Sequence, residues 1–414
     1  MEDSNLFPST LSGCRKGHST TTALMYIKDN CLKALKSSEL TILTLIDFSK
    51  AFDTVNHTKL LNILSNYNFS NSSIKFLQSY LSDRTQYIEY NNVKSHVLSI
   101  NSGVPQGSIL GPILFNIYVA SINNYISSSN ITTVNYVDDF QLALSGPISS
   151  IDSLKTKTAT ALNNINTLST DIDLILNTQK TNFLIISSKF QAKKLTSHNC
   201  INLNPINSSV NRVSEQKNLG IIFDDNLSFN SHHTKTLKSC YGILHSLKQL
   251  KHTLSTKNKS ILINSLIFSK LYYGNVITHP LNRHWSVKYN NLFKTCLSFI
   301  HNKYINSSQM NSYEFLNPLN TWKYNILTLA FKSIYHQNFP SYLKLKIQPP
   351  SSFNLRSDSS VHLPNILLSN SFRSQASTLF NELPPHIRND SCNQNIKQFA
   401  KTIKTFLLHS QKQQ

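Results

Sequence analysis

The sequence predicts an α+β fold, in which helices and strands follow one another without a repeated strand–helix–strand rhythm. One observation is a helical period over residues 20–36, and a second is an apolar strand pattern over residues 40–46. The apolar residues on one side of the helix are Ala23, Leu24, Ile27, Cys31 and Leu35. The third observation is that later helical and strand patterns mix without parallel crossover units.

The elements follow in order along the chain. We expect the first dozen residues, which are mostly polar, to be frayed. The predicted helices span residues 20–36, 57–67, 73–81, 111 to about 125, and 151–168. The predicted strands are 40–46, a hairpin over 87–100, a second hairpin over 131–144, and 181–187. A Gly/Pro turn over 103–111 leads into the long apolar helix.

The composition limits the class of molecule that the chain is expected to bind. At 414 residues and 47.0 kDa the chain has room for two or three domains. Its net charge of +20 comes from 40 basic and 20 acidic residues, which points to a polyanion, either nucleic acid or an anionic membrane face. No apolar run has the length of a membrane span and no signal-peptide core is present, so nucleic acid is favoured and no membrane partner is expected. An intracellular location is expected, with nucleus and cytoplasm both plausible.

The six cysteines are scattered, without a C-x-x-C pair or a Cys/His cluster of zinc spacing. We predict free, mostly buried thiols in a reducing compartment, with no disulfide partner. The fifteen histidines show no H-E-x-x-H spacing either.

Residues 226–312 contain no Asp or Glu, although Lys and Arg recur throughout. Four lysines there lie beside an apolar stripe. The lysines are Lys235, Lys238, Lys248 and Lys251, and the stripe is Leu237, Tyr241, Leu244, Leu247 and Leu254. One interpretation is an ordinary solvated helix face; the other, favoured by the single sign of charge, is contact with nucleic acid.

Two adjacent carboxylates, Asp138 and Asp139, lie at the tip of the second hairpin. Aspartate is common in tight turns, so an ordinary turn is one interpretation. The other is a divalent cation that neutralises the pair. Asp47 ends the predicted strand 40–46, and if that strand pairs with the hairpin, three carboxylates form one cluster. Such a cluster suits two Mg²⁺ ions in phosphoryl transfer.

Four strings around these carboxylates and between them and the next strand follow one another along the chain: residues 46–57, 103–112, 136–139 and 177–181. In this order they resemble the catalytic motifs of the reverse transcriptases of non-LTR retrotransposons, of the jockey and chicken-repeat type, and the resemblance runs along nearly the whole chain. Residues 17–20 resemble part of the fingers, and 219–224 with Leu227, Phe229 and His232 resemble the primer grip. Residues 380–385 resemble a C-terminal signature of these elements.

This resemblance implies a right-hand polymerase: partial fingers and an antiparallel-sheet palm in residues 1–225, a basic helical thumb in 226–312, and a helical C-terminal extension in 313–414. The implied activity is that of an RNA-directed DNA polymerase. It would use two Mg²⁺ ions, a dNTP substrate, an RNA template and a DNA primer.

The resemblance also implies roles for single residues. Asp47 and Asp138 would be the principal Mg²⁺ ligands, with Asp139 completing the cluster. Lys180 would lie near the triphosphate and protonate the leaving pyrophosphate. Phe52 would close on the sugar and exclude a ribose 2′-hydroxyl; its alternative role is core packing.

On the nucleotide side, Gln106 would contact the incoming dNTP, and the backbone N–H groups around Gly107 suit a ligand that approaches closely. Arg15 and Lys16 either bind phosphate or are merely solvated.

The sequence departs from the family pattern in three respects. An N-terminal endonuclease and the earlier basic fingers segment are lacking, Cys14 stands where an aromatic is usual, and residues 119–122 lack an acidic residue. We therefore expect an N-terminally truncated element. The alternatives are a catalytically inactive remnant that retains nucleic-acid binding and an unrelated globular protein with chance motifs. The oligomeric state stays open.

Overall fold

The computed structural model describes residues 7–128, 131–196, 210–347, 363–364, 368 and 370–413. The chain divides into two compact units, residues 1–23 with 37–216 and residues 24–36 with 217–414. Residues 226–312 and 313–414 thus fall within the same unit, and their separation into a thumb and an extension stays a prediction.

A five-stranded sheet forms the framework of the first unit. Its strands and those of a smaller hairpin region are β1 Leu40–Ile46, β2 Arg84–Gln86, β3 Glu89–Tyr90, β4 Val93–Lys94, β5 Leu98–Ile100, β6 Thr132–Tyr136, β7 Asp139–Gly146, β8 Asn182–Ile186 and β9 Asn211–Arg212. The sheet order is β6-β7-β1-β8-β9, antiparallel except between β8 and β9. Strand β1 is central, and six of its seven residues are buried because both faces are covered. The predicted α+β class is confirmed.

The first unit also contains helices. Apart from the first of them, which lies mostly in the second unit, they have buried residues in the same hydrophobic core as the sheet. Their bounds are α1 Thr20–Lys36, which continues into the second unit, α2 His57–Asn66, α3 Asn71–Leu81, α4 Gly111–Tyr118, α5 Ala120–Ser128, α6 Ile151–Asp171 and α7 Lys189–Thr196, with a 3₁₀ turn at Ile148–Ser150. The prediction of one helix to about residue 125 is wrong, because the chain breaks at Val119. The apolar pattern could not locate the break, since residues 114–120 are all buried.

The expected fraying of the first dozen residues is wrong for residues 10–12. Leu11 and Ser12 are buried. The Ser12 N–H donates to the Asn135 carbonyl at 2.7 Å, and the Asn135 N–H donates to the Thr10 carbonyl at 3.1 Å. These bonds satisfy backbone groups on the outer edge of β6, which would otherwise be unpaired.

The second unit is mainly helical. Its hairpin is β10 Glu215–Asn218, which starts at the unit boundary, with β11 Ile221–Asp224. Its helices are α8 Asn230–Gln249, α9 Thr256–Leu262, a π-helical turn Ile263–Phe268, α10 Ser269–Tyr272, α11 Asn275–Thr278, α12 Arg283–His301, α13 Pro318–Tyr335, α14 Phe372–Asn381, α15 Pro385–Asp390 and α16 Ile396–Lys412, with 3₁₀ turns at Met310–Ser312, Ser341–Leu343 and Ser391–Asn393. Within the described part of the chain, none of the helices combines the length and hydropathy of a membrane span.

Helix α8 buries a slightly different stripe from the predicted one. Leu237, Leu244 and Leu247 are buried as expected, but Tyr241 is 41% exposed. Cys240, which is fully buried, takes the inward position instead. The helix is therefore rotated by part of a turn relative to the prediction.

Three of the described cysteines, Cys31, Cys240 and Cys296, are buried free thiols, whereas Cys14 and Cys392 are free and exposed. The prediction for Cys200 lies outside the described residues.

Candidate active site

The three predicted carboxylates come together at one end of the sheet. Strand β1 pairs with β7 so that Ile46 lies opposite Phe140, which brings the next residue, Asp47, level with Asp139. Tyr136 pairs with Asp139 across the β6–β7 hairpin, so Asp138 lies at its tip. The side chain of Asp47 is 41% exposed, and Asp138 and Asp139 are exposed.

The hairpin tip has an unusual backbone. Val137, the first residue of its two-residue loop, has a φ of 61°, a left-handed conformation that β-branched residues rarely adopt. Gly13 packs against this tip so closely that a Cβ there would lie 2.4 Å from the Val137 nitrogen. Such conformations persist where the surrounding structure enforces them, often at functional sites. The close packing therefore helps to set the direction of Asp138.

The backbone of Asp47 is held by the segment that contains Lys180. The Asp47 N–H donates to Thr181 Oγ1 at 3.2 Å, and the Asn177 N–H donates to the Asp47 carbonyl at 2.8 Å. Lys180 Nζ lies 4.0 Å from Asp47 Oδ2, on a side chain that is 72% exposed. The structure thus brings Lys180 to the edge of the carboxylate cluster. The role of Thr181 was missed in the sequence, because the Lys180-Thr181 pair gives no sign of which side chain would face Asp47.

The electrostatics of the cluster disfavour three free negative charges. Desolvation, followed by the charges of Asp138 and Asp47, raises the pKa of Asp139 to about 6. Desolvation also raises the pKa of Asp138; a backbone hydrogen bond opposes this shift, and the charge of Asp47 adds to it. Both residues are exposed as a whole, so the desolvation is partial. A bound cation would relieve the repulsion.

The donor set fits a divalent cation by its chemistry. Carboxylate oxygens are the ligands that Mg²⁺ prefers. Across the described residues, however, no three His, Cys, Asp or Glu side chains are already arranged to hold a metal. The three carboxylates are at least partly exposed, so an ion can reach them from solvent. Asp47, Asp138 and Asp139 are accordingly the candidate ligands.

The residues that are predicted to contact the incoming nucleotide lie in two loops. Phe52 is half-buried and stacks on Phe115 of α4, with ring centroids 4.6 Å apart and planes 18° from parallel. This contact agrees with the packing role and leaves part of the ring exposed. Gln106 and Gly107 are exposed in the turn before α4, and no heavy atom lies within 4 Å of a Cβ built on Gly107. Space for a ligand is therefore present beside that turn.

Arg15 is engaged in the N-terminal segment. Its Nη1 donates to the carbonyls of Pro8 at 2.8 Å and Leu11 at 3.1 Å, and its guanidinium lies over the ring of Phe7. Lys16 is exposed. The phosphate-binding role of both residues stays a prediction.

Comparison with known proteins identifies the family. Residues 1–223 match the family model described as reverse transcriptase (RNA-dependent DNA polymerase). The chain is 28% identical over 272 residues to the probable RNA-directed DNA polymerase from transposon BS of Drosophila melanogaster, covering 62% of this chain and 28% of that protein. It is 25% identical over 284 residues to the RNA-directed DNA polymerase from mobile element jockey of Drosophila funebris, covering 66% and 30%. The chain thus spans less than a third of the length of these relatives.

Among solved structures, an apo telomerase from Candida tropicalis aligns over 81% of this chain and 57% of its own, with 14% identity and a TM-score of 0.38. The family model covers more than half of the 414 residues, including all three clustered carboxylates. This chain therefore belongs to the reverse transcriptase family.

Proposed function

We propose that the chain is the polymerase portion of an RNA-directed DNA polymerase of a retroelement, which transfers nucleotides from dNTPs to a primer 3′-hydroxyl. The observation that carries the proposal is the meeting of Asp47 with Asp138 and Asp139, beside Lys180. Few structural roles would gather three acids whose charges repel one another. The same site is expected in a family whose members use divalent metal ions.

Each residue has a task in this proposal. Asp47, Asp138 and Asp139 hold two Mg²⁺ ions, which when bound supply charge neutralisation for phosphoryl transfer. Lys180, 4.0 Å from Asp47, donates a proton to the departing pyrophosphate. Phe52 lies against the sugar and rejects a ribose 2′-hydroxyl. Gln106, in the turn before α4, contacts the incoming nucleotide.

An RNA template and a DNA primer are the proposed partners. Residues 226–312 carry eleven basic side chains and no acidic ones, which suits backbone phosphates without sequence readout. Three of these lysines, Lys248, Lys251 and Lys303, line one groove together with the exposed Tyr304. A basic groove with an exposed aromatic ring is a typical nucleic-acid contact.

A second candidate is an inactive remnant that still binds nucleic acid. It is favoured by the basic composition of residues 226–312, which is independent of the carboxylates.

Primer extension distinguishes the two candidates. With an RNA template, a DNA primer, dNTPs and Mg²⁺, the purified chain should extend the primer, and a chelator should stop it. Asp138→Asn should lower the rate about a thousandfold, because one carboxylate ligand is lost. Asp152→Asn is the control, since Asp152 lies exposed on α6 in an ion pair with Lys155. Extension that is indifferent to Asp138→Asn would rule out the proposal; binding without any extension would favour the remnant.

A further inference from the structure

The basic groove that contains Tyr304 has a fully buried lysine behind it. Lys259, on α9, is 0% exposed; its Nζ donates to Asn302 Oδ1 at 2.7 Å and lies 5.3 Å from the centroid of the Phe299 ring. Asn302 and Phe299 both line the groove. In the part of the chain that the structure describes, both of these partners are uncharged, although a buried charge normally has a partner of opposite sign. An anion in the groove would lie one side chain away from this lysine.

The amide of Asn302 is oriented by that lysine. An ammonium group donates hydrogen bonds and accepts none, so the oxygen of Asn302 has to face Lys259. Asn302 also has an ordinary structural role, since it ends α12 with a φ of 53°, a left-handed conformation that asparagine tolerates. That role accounts for its backbone and leaves its two N–H donors without an acceptor among the described contacts. These donors suit an acceptor in the groove, such as a phosphate oxygen.

The positive charge around the groove exceeds what the helix ends require. Helices α8 and α12 both end here, and each C-terminus carries roughly half a negative charge, which nearby lysines neutralise. Two such ends offset about one of four positive charges. The four belong to Lys248, Lys251, Lys303 and Lys259, and none of them takes part in the ion pairs of the described residues. The surplus favours an anion over a neutral ligand.

The ring of Tyr304 narrows the class of anion. It is 81% exposed in a groove of about 400 Å³, a volume that suits one small molecule. A single exposed ring is ordinary by itself, but a ring beside several lysines is the arrangement on which bases stack while their phosphates are held. Within a duplex each base face is covered by its neighbours in the stack. Only an unpaired base can therefore lie on Tyr304.

We propose that this groove is a binding site for one unpaired nucleotide of a nucleic-acid strand, with its phosphate against Asn302 and the lysines and its base stacked on Tyr304. The inference rests on the proposed function, since it specifies how residues 226–312 contact the proposed nucleic-acid partner. It adds that the groove distinguishes unpaired from paired strands, which contacts to the phosphate backbone alone do not.

The test measures affinity by fluorescence anisotropy with three labelled probes. These are a short single strand, the same strand with abasic sites in place of its bases, and a blunt RNA–DNA duplex; the strand is made as RNA and as DNA to show which of them the groove prefers. Tyr304→Ala should weaken binding of the strand with bases about tenfold, the value of one stacked base. Its affinity for the abasic strand and the duplex should change less than about twofold, because neither offers an unpaired base.

Two variants control for the loss of the ring. Tyr304→Phe keeps an aromatic face and should bind the strand with bases as the wild-type chain does. Tyr90→Ala removes a tyrosine of similar exposure, 76%, from β3 of the first unit, and should leave the affinity for all three probes unchanged.

Asn302→Asp tests the phosphate contact in a variant that keeps the fold. Aspartate can pair with Lys259, so the midpoint of urea denaturation should stay the same or rise. It also replaces two donors with a negative charge, so the strands with and without bases should both bind about tenfold more weakly. Asn393→Asp adds the same charge at an exposed position outside residues 226–312 and should change these affinities less than about twofold.

The outcomes are distinguishable. A wild-type chain that binds neither the single strand nor the duplex would overturn the proposed nucleic-acid partner together with this inference. A chain that extends primers, with Tyr304→Ala keeping full affinity for the strand with bases, would overturn the inference alone. Equal losses of Tyr304→Ala for the strand with bases and the abasic strand would also contradict it, since stacking requires a base. Unchanged binding by Asn302→Asp would contradict the phosphate contact.

Discussion

The end of the sheet in the first unit and residues 226–312 of the second differ in charge. The former gathers Asp47, Asp138 and Asp139 on a strand end and a hairpin tip with a left-handed Val137. The latter has no acidic residue and contains the long helices α8 and α12. A cluster of acids attracts a small cation, whereas a single-sign basic surface attracts a polyanion. The comparison implies that the proposed nucleotide transfer at the carboxylates and the proposed binding of nucleic acid by residues 226–312 can be altered separately.

The largest expected effect separates chemistry from binding. Asp47→Asn should lower the rate of primer extension about a thousandfold, because one of the proposed metal ligands is lost. Its affinity for an RNA–DNA duplex, measured by fluorescence anisotropy, should change less than about twofold. Asp171→Asn, at the exposed end of α6, is the control. A parallel loss of affinity would show that the two regions do not act separately.

The next effect concerns how tightly each region is packed. Gly13→Ala places a Cβ 2.4 Å from the backbone nitrogen of Val137, so the free energy of unfolding should fall by about 2 kcal/mol. Gly242→Ala, within α8, meets no heavy atom within 4 Å and should raise it by about 0.5–1 kcal/mol. Urea denaturation measures both. Shifts of the same sign would contradict the contrast between the regions.

A third prediction concerns the affinity of residues 226–312 for a nucleic-acid duplex. Changing Lys248, Lys251 and Lys303 together to Gln should weaken duplex binding about tenfold near 0.1 M salt and flatten its salt dependence, because fewer counterions are released. The extension rate at saturating duplex should stay the same. The equal-charge control changes Lys397, Lys401 and Lys404 on α16, all of them exposed. An equal loss in the control would indicate that net charge alone sets the affinity.

The smallest effect is a pH dependence of the second unit. Burial lowers the pKa of His232 to about 4, below its ordinary value of 6.5. The unfolded chain therefore binds more protons than the folded chain between these values, and the free energy of unfolding falls as the pH drops through this window. His232→Gln should reduce the loss between pH 7.5 and 5.5 by about 1 kcal/mol, measured by urea denaturation. His386→Gln, at an exposed position, is the matched control for the substitution itself.

The sequence predicts elements best where one pattern has clear limits. The strand over residues 40–46 and the helix over 20–36 match the structure at both ends, because polar residues bound each apolar pattern. The meeting of Asp47 with the hairpin acids was predicted only on the condition that their strands pair. The register of β1 with β7 meets that condition.

Contacts that depend on tertiary register were not predictable. The bond between Asp53 and Gln106 joins loops 53 residues apart and exists only because Gly103 lets them approach. The bonds from Arg15 to the carbonyls of Pro8 and Leu11 were likewise not predictable, and its phosphate-binding role stays a prediction. The inward turn of Cys240 in place of Tyr241 likewise follows from the packing partners of α8, which its own periodicity does not contain.

The pairing of Leu11 with Asn135 has a consequence for solubility. A bare outer strand is a template onto which a second molecule can add its own strand. Residues 10–12 occupy that margin of β6, while the opposite margin ends in β9, which is only two residues long. Shortening the chain past Ser12 would therefore be expected to promote self-association, even though no residue of the carboxylate cluster would be touched.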